Sequence, residues 1–241
     1  MPFITPDWPA PANVRAVVTT RTGGVSSGRY ADFNLATHVG DDPAVVATNR
    51  TRLATTLGFR GSPCWLNQVH GADCINAAMR HTAPPDADAS CTTERGKACA
   101  ILTADCLPIL LCDRAGSTVA AIHAGWRGLA ASVIGHTLQR MPPAGDLLAW
   151  IGPGIGPRAY RVGDDLRSTF LRLEAGNAFA FTQESDGWHC DLAALARRQL
   201  ELAGVADIRQ YPGCTHDEPA RFFSFRRDGE TGRMASLIWL A

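Results

Sequence analysis

The sequence predicts a mixed α/β fold of the α+β kind, and two observations carry this prediction. Short apolar or β-branched runs of strand length recur along the chain and dominate its middle. Candidate helices lie between them at irregular intervals, which argues against a regular winding of alternating strands and helices. No repeat, low-complexity tract or linker-sized loop interrupts the 241 residues, so we expect one domain over residues 1–241.

Local patterns place the individual elements. The predicted strands are Val14–Thr20, Pro63–Val69, Ala98–Leu102, Leu107–Cys112, Thr118–Ile122, Leu147–Ile151, Ile208–Tyr211 and Ala235–Leu240. The predicted helices are Pro43–Leu57, Gly128–Arg140, Asp164–Glu174 and Asp191–Ala203. In the last helix Asp191 is well placed as the N-cap, and Leu192, Leu195 and Leu202 share a face that can be buried.

Composition limits the partners and the compartment. Lysine plus arginine balances aspartate plus glutamate at 23 each, so no bulk charge attracts nucleic acid or an anionic membrane. The longest apolar runs are too short to cross a bilayer, and the N-terminus lacks the pattern of a secretion signal. We therefore interpret the eight cysteines as reduced thiols and expect a cytoplasmic protein. Lys97 is the only lysine, and arginine suits phosphate or carboxylate substrates, although a high-GC genome would produce the same bias.

Three segments share one design, in which an apolar run enters a turn of small residues that presents a metal-capable side chain. These side chains are His70, Cys106 and His123. Two imidazoles and one thiolate suit zinc, and three protein ligands leave one tetrahedral position open, as in catalytic zinc sites. The ligands are 36 and 17 residues apart, which matches no compact metal motif. Hydrogen-bonded histidines and a buried thiol therefore remain an alternative at this point.

Other catalytic signatures are missing from the sequence. It contains no His-Glu-x-x-His, no Cys-x-x-Cys and no nucleobase-deaminase signature. Gly24–Gly28 matches Gly-x-Ser-x-Gly, but no convincing helix follows it, so we interpret it as a loop. The glycine-rich run Gly152–Pro157 has proline in place of the third glycine of a dinucleotide fingerprint.

Two arginine-bearing segments allow two interpretations each. Phe223–Arg233 places three arginines around Asp228-Gly229, which predicts either a solvated hairpin or an anion site. Thr19–Gly24 is either a polar loop or a loop that offers Arg21 and free backbone amides to an anion.

Taken together, these segments resemble the YfiH family, also called the laccase-domain family and once labelled multicopper polyphenol oxidases. The matching motifs span nearly the whole chain in the expected order. They are Thr20-Arg21-x-Gly-Gly-Val-Ser, Asn34-Leu35, His38-Val39-Gly40-Asp41, Asn67-Gln68-Val69-His70-Gly71, Thr103-Ala104-Asp105-Cys106-x-Pro108, His123-Ala124-Gly125-Trp126-Arg127-Gly128, Ile151-Gly152-Pro153 and Arg226-Arg227-Asp228-Gly229-x-Thr231-Gly232-Arg233.

The resemblance implies a fold, a metal and an activity. The fold is a layered αββα sandwich of the YfiH and cytotoxic-necrotizing-factor-like type. His70, Cys106 and His123 would bind Zn²⁺. The activity would be phosphorolysis of adenosine, inosine, guanosine and methylthioadenosine, with deamination of adenosine. Bacterial relatives are also linked to the editing of peptidoglycan precursors.

Specific roles follow as hypotheses. Asp105, next to a ligand, would accept a proton or orient the site, while Cys106 and His123 take part in the chemistry. Arginines would offset the charge of phosphate; the candidates are Arg21, Arg127, Arg226 and Arg227. Asn34 and Gln68 would hydrogen-bond ribose or base. The partners would thus be small molecules, a purine nucleoside and phosphate, and the oligomeric state stays open.

Three rival interpretations remain. Cys106 and His123 could form a metal-free nucleophile and base that hydrolyses an amide of a cell-wall precursor. A partner-binding protein could instead hold structural zinc through a fourth ligand such as His38, Cys112 or His216. Copper-dependent oxidation of phenols is least favoured, because seven histidines with no His-x-His pair would hardly supply the ligands of a multicopper cluster.

Overall fold

The chain forms two stacked β-sheets with helices on both outer faces, as seen in a computed structural model that describes residues 3–58, 62–142, 146–205 and 207–241. The strands are β1 Phe3–Ile4, β2 Val14–Thr19, β3 Cys74–Asn76, β4 Ala89–Thr92, β5 Ala98–Thr103, β6 Leu107–Asp113, β7 Val119–Ala124, β8 Leu147–Ile151, β9 Arg161–Val162, β10 Phe181–Glu184, β11 Gly187–Cys190, β12 Asp207–Gln210 and β13 Met234–Leu240. The α-helices are α1 Pro43–Leu57, α2 Trp126–Ala130, α3 Val133–Arg140, α4 Asp164–Leu173, α5 Leu192–Leu202 and α6 Phe225–Asp228.

The two large sheets differ in size. The first has the strand order β1-β2-β13-β5 and is antiparallel throughout. The second has the order β12-β8-β6-β7-β4-β3, with parallel pairs only at its two edges. Strands β10, β11 and β9 form a separate three-stranded sheet. The antiparallel β6–β7 pair, whose register sets Pro108 opposite His123, lies at the centre of the second sheet.

Three apolar clusters define the layers. One cluster fills the space between the sheets and joins Ile101 and Ile238 to Leu110 and Trp150. A second packs α2, α3, α4 and α5 on the other face of the six-stranded sheet. A third covers the outer face of the four-stranded sheet with α1 and the loop around Phe33. Because each sheet is covered on both faces, the predicted αββα sandwich is confirmed.

Burial on both faces explains the continuous apolar runs of the central strands. Every residue of β5, β6 and β7 is buried. Strands covered on both sides need no polar face, so their sequences show no alternation. This property made three of the predicted strands easy to recognise.

Most predicted elements are confirmed within one or two residues. Helix α1 has the predicted bounds, and Asp191 caps α5 by accepting a hydrogen bond from the Ala194 amide at 2.9 Å. The predicted strand Pro63–Val69 is wrong, because this segment makes only isolated bridges, from Cys64 to Cys99 and from Asn67 to Asp86. The segment pairs with two different parts of the chain, at one residue each, and so forms no continuous ladder of hydrogen bonds.

Two further predictions are wrong for local reasons. The helix predicted over Gly128–Arg140 is two helices, because Ser132 adopts a left-handed backbone conformation (φ 62°) between them. The hairpin alternative for the arginine-rich segment near residue 228 also fails. That segment forms α6, capped by the Ser224 hydroxyl and ended by Gly229 at φ 68°. Among the described residues, no helix is both long and apolar enough to cross a membrane.

Candidate active site and metal centre

The three predicted ligands meet at one end of the six-stranded sheet. Cys106 occupies the turn that leads into β6, and His123 lies on the neighbouring strand β7. His70 reaches them from the loop before β3. Their ligand atoms all lie within 4.8 Å of one another, and the two imidazole rings meet edge to face with centroids 4.8 Å apart. The structure therefore assembles a His–Cys–His group from residues that are distant in sequence.

Unusual backbone conformations aim two of these side chains. His70 (φ 60°) and Asp105 (φ 92°), the residue before Cys106, both have positive φ. Such conformations cost non-glycine residues roughly 1–2 kcal/mol, so other contacts must hold them. Gly125 also leaves space beside the thiol, since a Cβ there would lie 3.0 Å from Cys106 Sγ, closer than ordinary van der Waals contact. The small residues of the sequence motif thus leave room for the thiol.

Asp88, which the sequence analysis missed, holds two of the three ligands. Its carboxylate Oδ1 accepts hydrogen bonds from His123 Nδ1 at 2.7 Å and from the His70 amide at 3.0 Å. Its Oδ2 accepts from the amides of Val69 at 3.2 Å and Gly71 at 2.6 Å. Because Nδ1 of His123 is engaged, Nε2 is the nitrogen left for a metal.

Asp105 is buried and saturated with hydrogen bonds. Its carboxylate accepts from the Thr215 hydroxyl at 2.6 Å, the Ser224 hydroxyl at 3.0 Å and the Arg226 amide at 2.6 Å. These contacts join the turn before Cys106 to the start of α6. Of the two predicted roles, orientation of the site is the one that this geometry favours.

Cys106 and His123 shift each other's pKa values. Burial alone would raise the pKa of the Cys106 thiol, but the charge and hydrogen bonds of His123 and His70 outweigh burial and lower it to about 6. Burial would lower the pKa of His123, but the Cys106 thiolate and Asp88 raise it to about 9. Without a metal, the pair is therefore a thiolate and an imidazolium at neutral pH.

A cavity of about 370 Å³ opens beside the ligands. Its walls combine cationic, aromatic and apolar side chains, and its volume lies within the range of about 300–1,000 Å³ that small-molecule sites occupy. The residues that line it are His38, Gln68, His70, Leu102, Thr103, Ala104, Asp105, Cys106, His123, Trp126, Arg127, Ile155, Tyr160, Leu192, Phe225, Arg226 and Arg233.

Three predicted substrate residues belong to this lining. Arg127 lies over the Trp126 ring, and Arg226 lies over the Tyr160 ring while donating to the Arg161 carbonyl at 2.7 Å. Neither guanidinium is in an ion pair with any residue that the structure describes. Gln68 exchanges two hydrogen bonds with the Leu102 backbone, which leaves one amide N–H and one oxygen lone pair for other partners.

The other three predicted substrate residues are not brought into the lining. Arg21 donates to the carbonyls of Ala31 and Pro219. Arg227 donates to three backbone carbonyls and to Asp228. The buried Asn34 bonds to the backbone of Ala36 and Arg233 and to Asp41. Asn34 thereby holds Arg233, which lines the cavity, whereas the partners of Arg21 and Arg227 do not line it.

Several lining residues were missed by sequence reasoning as substrate contacts. His38 and Arg233 stood within the motifs quoted above, so a signal existed. Tyr160 is an isolated tyrosine after a loop and gave none. Burial lowers the pKa of His38, helped by the nearby charge of Arg233, so its imidazole is neutral at neutral pH. Burial raises the pKa of the Tyr160 phenol, which therefore stays protonated.

The fourth-ligand candidates do not join the group. Among the described residues the metal-capable cluster contains three members and no fourth. Cys112 is fully buried in the core between the sheets, and His216 pairs with Asp217 at 2.9 Å. His38 lines the same cavity but is not a member of the cluster. A metal held by these three residues would therefore keep one position open towards the cavity, the arrangement that catalytic rather than structural zinc sites use.

The fold and the site define a class of αββα proteins whose thiolate–imidazole cluster opens into an arginine-lined cavity. The family model described as multi-copper polyphenol oxidoreductase laccase matches residues 15–241, and the chain belongs to this family, that of the YfiH proteins.

Curated relatives and solved structures resemble this chain over nearly its full length. A protein of Pseudomonas aeruginosa named purine nucleoside phosphorylase is 48% identical, with 99% of this chain and 98% of that protein covered. Purine nucleoside phosphorylase YfiH of Escherichia coli is 46% identical, with the same coverage of 99% and 98%. A Neisseria meningitidis crystal structure has a TM-score of 0.94 at 48% identity, covering 99% of this chain and 98% of that one. YlmD from Geobacillus stearothermophilus has a TM-score of 0.89 at 36% identity, covering 100% and 96%.

Proposed function

We propose that the chain is a zinc-dependent purine nucleoside phosphorylase that also deaminates adenosine. The observation that carries the proposal is the single cavity in which the His–Cys–His group, two ion-pair-free arginines and aromatic rings meet. The names of the full-length relatives support the reaction. The eight free thiols support the cytoplasm as its compartment.

The donor set fits zinc better than copper. One thiolate and two imidazoles are ligands that zinc accepts, with bonds of about 2.0–2.3 Å. A blue-copper site also uses two histidines and one cysteine, but it adds an axial group that is often methionine. No methionine is among the residues described around this cavity. A multicopper oxidase needs several ion sites, and the described residues form one metal-capable group.

Phosphorolysis makes definite demands on the cavity. A phosphate oxygen bonds to the anomeric carbon, the glycosidic C–N bond breaks, and the electron pair leaves with the purine, which takes up a proton. Arg127 and Arg226 supply the positive charge that holds phosphate and offsets the charge of the leaving base. Zinc held by His70, Cys106 and His123 would act as a Lewis acid.

The remaining walls suit a nucleoside. Phe225 is 57% exposed at the cavity and offers an aromatic face to a purine ring. The Tyr160 phenol is a hydrogen-bond donor, and the free N–H and lone pair of Gln68 can contact ribose hydroxyls. Asp105 positions Cys106 and α6 through its buried hydrogen bonds. Asn34 supports the Arg233 wall through its hydrogen bond to the Arg233 amide, and Arg21 and Arg227 hold segments outside the lining.

Incubation with adenosine, with and without phosphate, tests the proposal. Adenine and ribose 1-phosphate that form only with phosphate support phosphorolysis, and inosine formed without phosphate supports deamination. His70→Ala, which removes an exposed ligand, should fold normally and lose both reactions. No turnover by the zinc-loaded wild-type protein would contradict the proposal and favour a partner-binding protein.

One observation favours a second candidate. The Cys106 thiolate, the His123 imidazolium and Asp88 also have the order of a nucleophile, a histidine that holds its proton for the leaving amine, and an orienting carboxylate. Such a group could hydrolyse an amide in a cell-wall precursor without metal. The phosphorylase and hydrolase hypotheses use the Cys106 thiolate differently, because a thiolate that holds zinc is less available as a nucleophile. Full activity of the chelated protein, lost on alkylation of Cys106, would favour the hydrolase.

A further inference from the structure

Asp88 occupies an unusual position in the site, because one carboxylate serves two ligands that come from different parts of the chain. It immediately precedes β4, which pairs with the strand that carries His123. It is fully buried, and its backbone carbonyl accepts from the His123 amide at 2.7 Å. The same residue therefore contacts His123 through both its backbone and its side chain.

The side-chain contacts leave no freedom to the carboxylate. Each oxygen accepts two hydrogen bonds, so all four donors that surround Asp88 face an acceptor. Three of these donors are consecutive amides, from Val69 to Gly71, which converge on one anion in the manner of a backbone nest. This convergence stabilises the left-handed conformation of His70.

We propose that Asp88 is the positioning residue that fixes both histidine ligands, so that the metal site is already assembled before the ion binds. Through Oδ1 it orients the His123 ring with Nε2 towards the metal. Through both oxygens it holds the loop that presents His70. The inference rests on the metal site proposed above and is independent of the nucleoside reaction.

An amide cannot replace this carboxylate. In Asp88→Asn one carboxylate oxygen becomes an NH₂ group. This group then faces N–H donors in place of an acceptor, whichever oxygen position it takes. If NH₂ faces Val69 and Gly71, the His70 loop loses its acceptor; if it faces His123, the ring loses its orientation. Either arrangement misplaces one ligand.

Asp113 offers a matched control at the opposite end of β6. It is also buried, and it accepts from the Ser117 amide at 2.7 Å, the Ser117 hydroxyl at 2.6 Å and the Thr118 amide at 3.0 Å. Here an amide is tolerated, because the hydroxyl can turn and accept from NH₂. Asp113→Asn thus removes a buried charge without disturbing the metal site.

Competition with a chromophoric zinc chelator measures the effect in the wild type and both variants. We expect Asp88→Asn to bind zinc about 10–100-fold more weakly, as removal of such partners of metal-bound histidines commonly does, and Asp113→Asn to bind like the wild type. The absorption spectrum with cobalt in place of zinc is the second readout. Altered ligand-field bands in Asp88→Asn, at equal cobalt loading, indicate changed geometry, which a merely structural role would not produce.

Each outcome separates the two proposals. If the wild type binds zinc and Asp88→Asn matches it in affinity and cobalt spectrum, the positioning role is wrong and the metal site stands. If the wild type binds no zinc, the metal proposal fails and takes this one with it. If Asp88→Asn does not fold, Asp88→Glu replaces it; this variant keeps the charge but displaces the oxygens, and unchanged zinc affinity there also overturns the positioning role.

Discussion

Cys106 and His123 are ordinary side chains whose charges change because they meet inside the protein. Burial opposes charge on both of them, yet the proximity of each to the other and the carboxylate of Asp88 favour the ion pair. A metal ion would replace the proton that the pair shares, since ligands bind in their deprotonated forms. Both the zinc hypothesis and the hydrolase hypothesis therefore start from a Cys106 thiolate, and the metal content decides whether that thiolate is a ligand or a free nucleophile.

The pKa of Cys106 predicts an unusual alkylation profile. Cys106 in the metal-free protein has a pKa of about 6, so half of its thiol is thiolate at about pH 6. An unperturbed thiol, with the ordinary pKa of 9.0, is almost fully protonated at the same pH. The rate of reaction with iodoacetamide should rise through a midpoint near pH 6. His123→Ala should move this midpoint upward, because it removes the charge that stabilises the thiolate.

Mass spectrometry of the Cys106 peptide separates this thiol from the other seven. Zinc should suppress the reaction at every pH. A midpoint close to 9 in the metal-free protein would contradict the assigned contact between the thiol and the imidazoles.

Some residues of the site could be predicted from the sequence and others could not, for a physical reason. His70, Cys106 and His123 stand beside small residues at strand ends, a local pattern that marks them. Asp88 follows a proline-rich stretch and has the sequence context of any polar loop. Its importance arises from β4 pairing with β7, which is a contact between distant segments that no local pattern records.

At the scale of elements, strands and helices were predictable where a local sequence pattern marks them, and not where they depend on contacts with distant segments. β6 and β7 are continuous apolar runs because both faces are buried, so their sequences identify them. β4 consists of Ala89-Ser90-Cys91-Thr92, small residues that resemble a loop, and it becomes a strand only because it has a partner on each side. The break between α2 and α3 at Ser132 likewise depends on one dihedral angle and leaves no gap in the apolar pattern.

The sign of φ predicts losses of different size for two glycines that have open space around them. Gly58 ends α1 in the left-handed region at φ 73°, and Gly163 precedes α4 at φ −86°. Neither site would give a new Cβ a steric clash. Gly58→Ala should lower the free energy of unfolding by about 1 kcal/mol, the cost of a left-handed L-residue. Gly163→Ala should lower it by roughly half as much, because its φ suits alanine and only the preference of N-caps for glycine over alanine is lost.

Urea unfolding of the two variants and the wild type provides the measurement. Equal losses in both variants would show that side-chain volume, and not backbone conformation, determines the cost.

At the scale of the whole molecule, the site depends on the complete sandwich. His123 comes from the middle of the six-stranded sheet, whereas Arg226 and Arg233 lie on the segment that leads into β13 of the other sheet. Asp105 connects the two through α6. An ion held by His70, Cys106 and His123, which lie far apart in the sequence and meet only in this fold, binds the folded chain and not the unfolded one.

Zinc should therefore stabilise the protein as a whole. At a free zinc concentration 100 times the dissociation constant, the gain is about 2.7 kcal/mol, which for a chain of this size raises the melting temperature by roughly 5–10 °C. Thermal unfolding with and without zinc measures the shift. His123→Ala should abolish it, and a shift that persists in this variant would place the binding elsewhere.

The position of β13 in its sheet has a consequence for how the chain is made. β13 lies between β2 and β5, yet it follows both of them in the sequence by more than half the chain. While a ribosome still holds this segment, β2 and β5 are separated by a missing strand, and each has an unpaired edge, the kind of surface that recruits other chains. Insertion of β13 closes both edges in one event and draws Arg226 and Arg233 to the cavity with it. Pairing of β13 thus covers the two inner edges and completes the arginine wall of the cavity together.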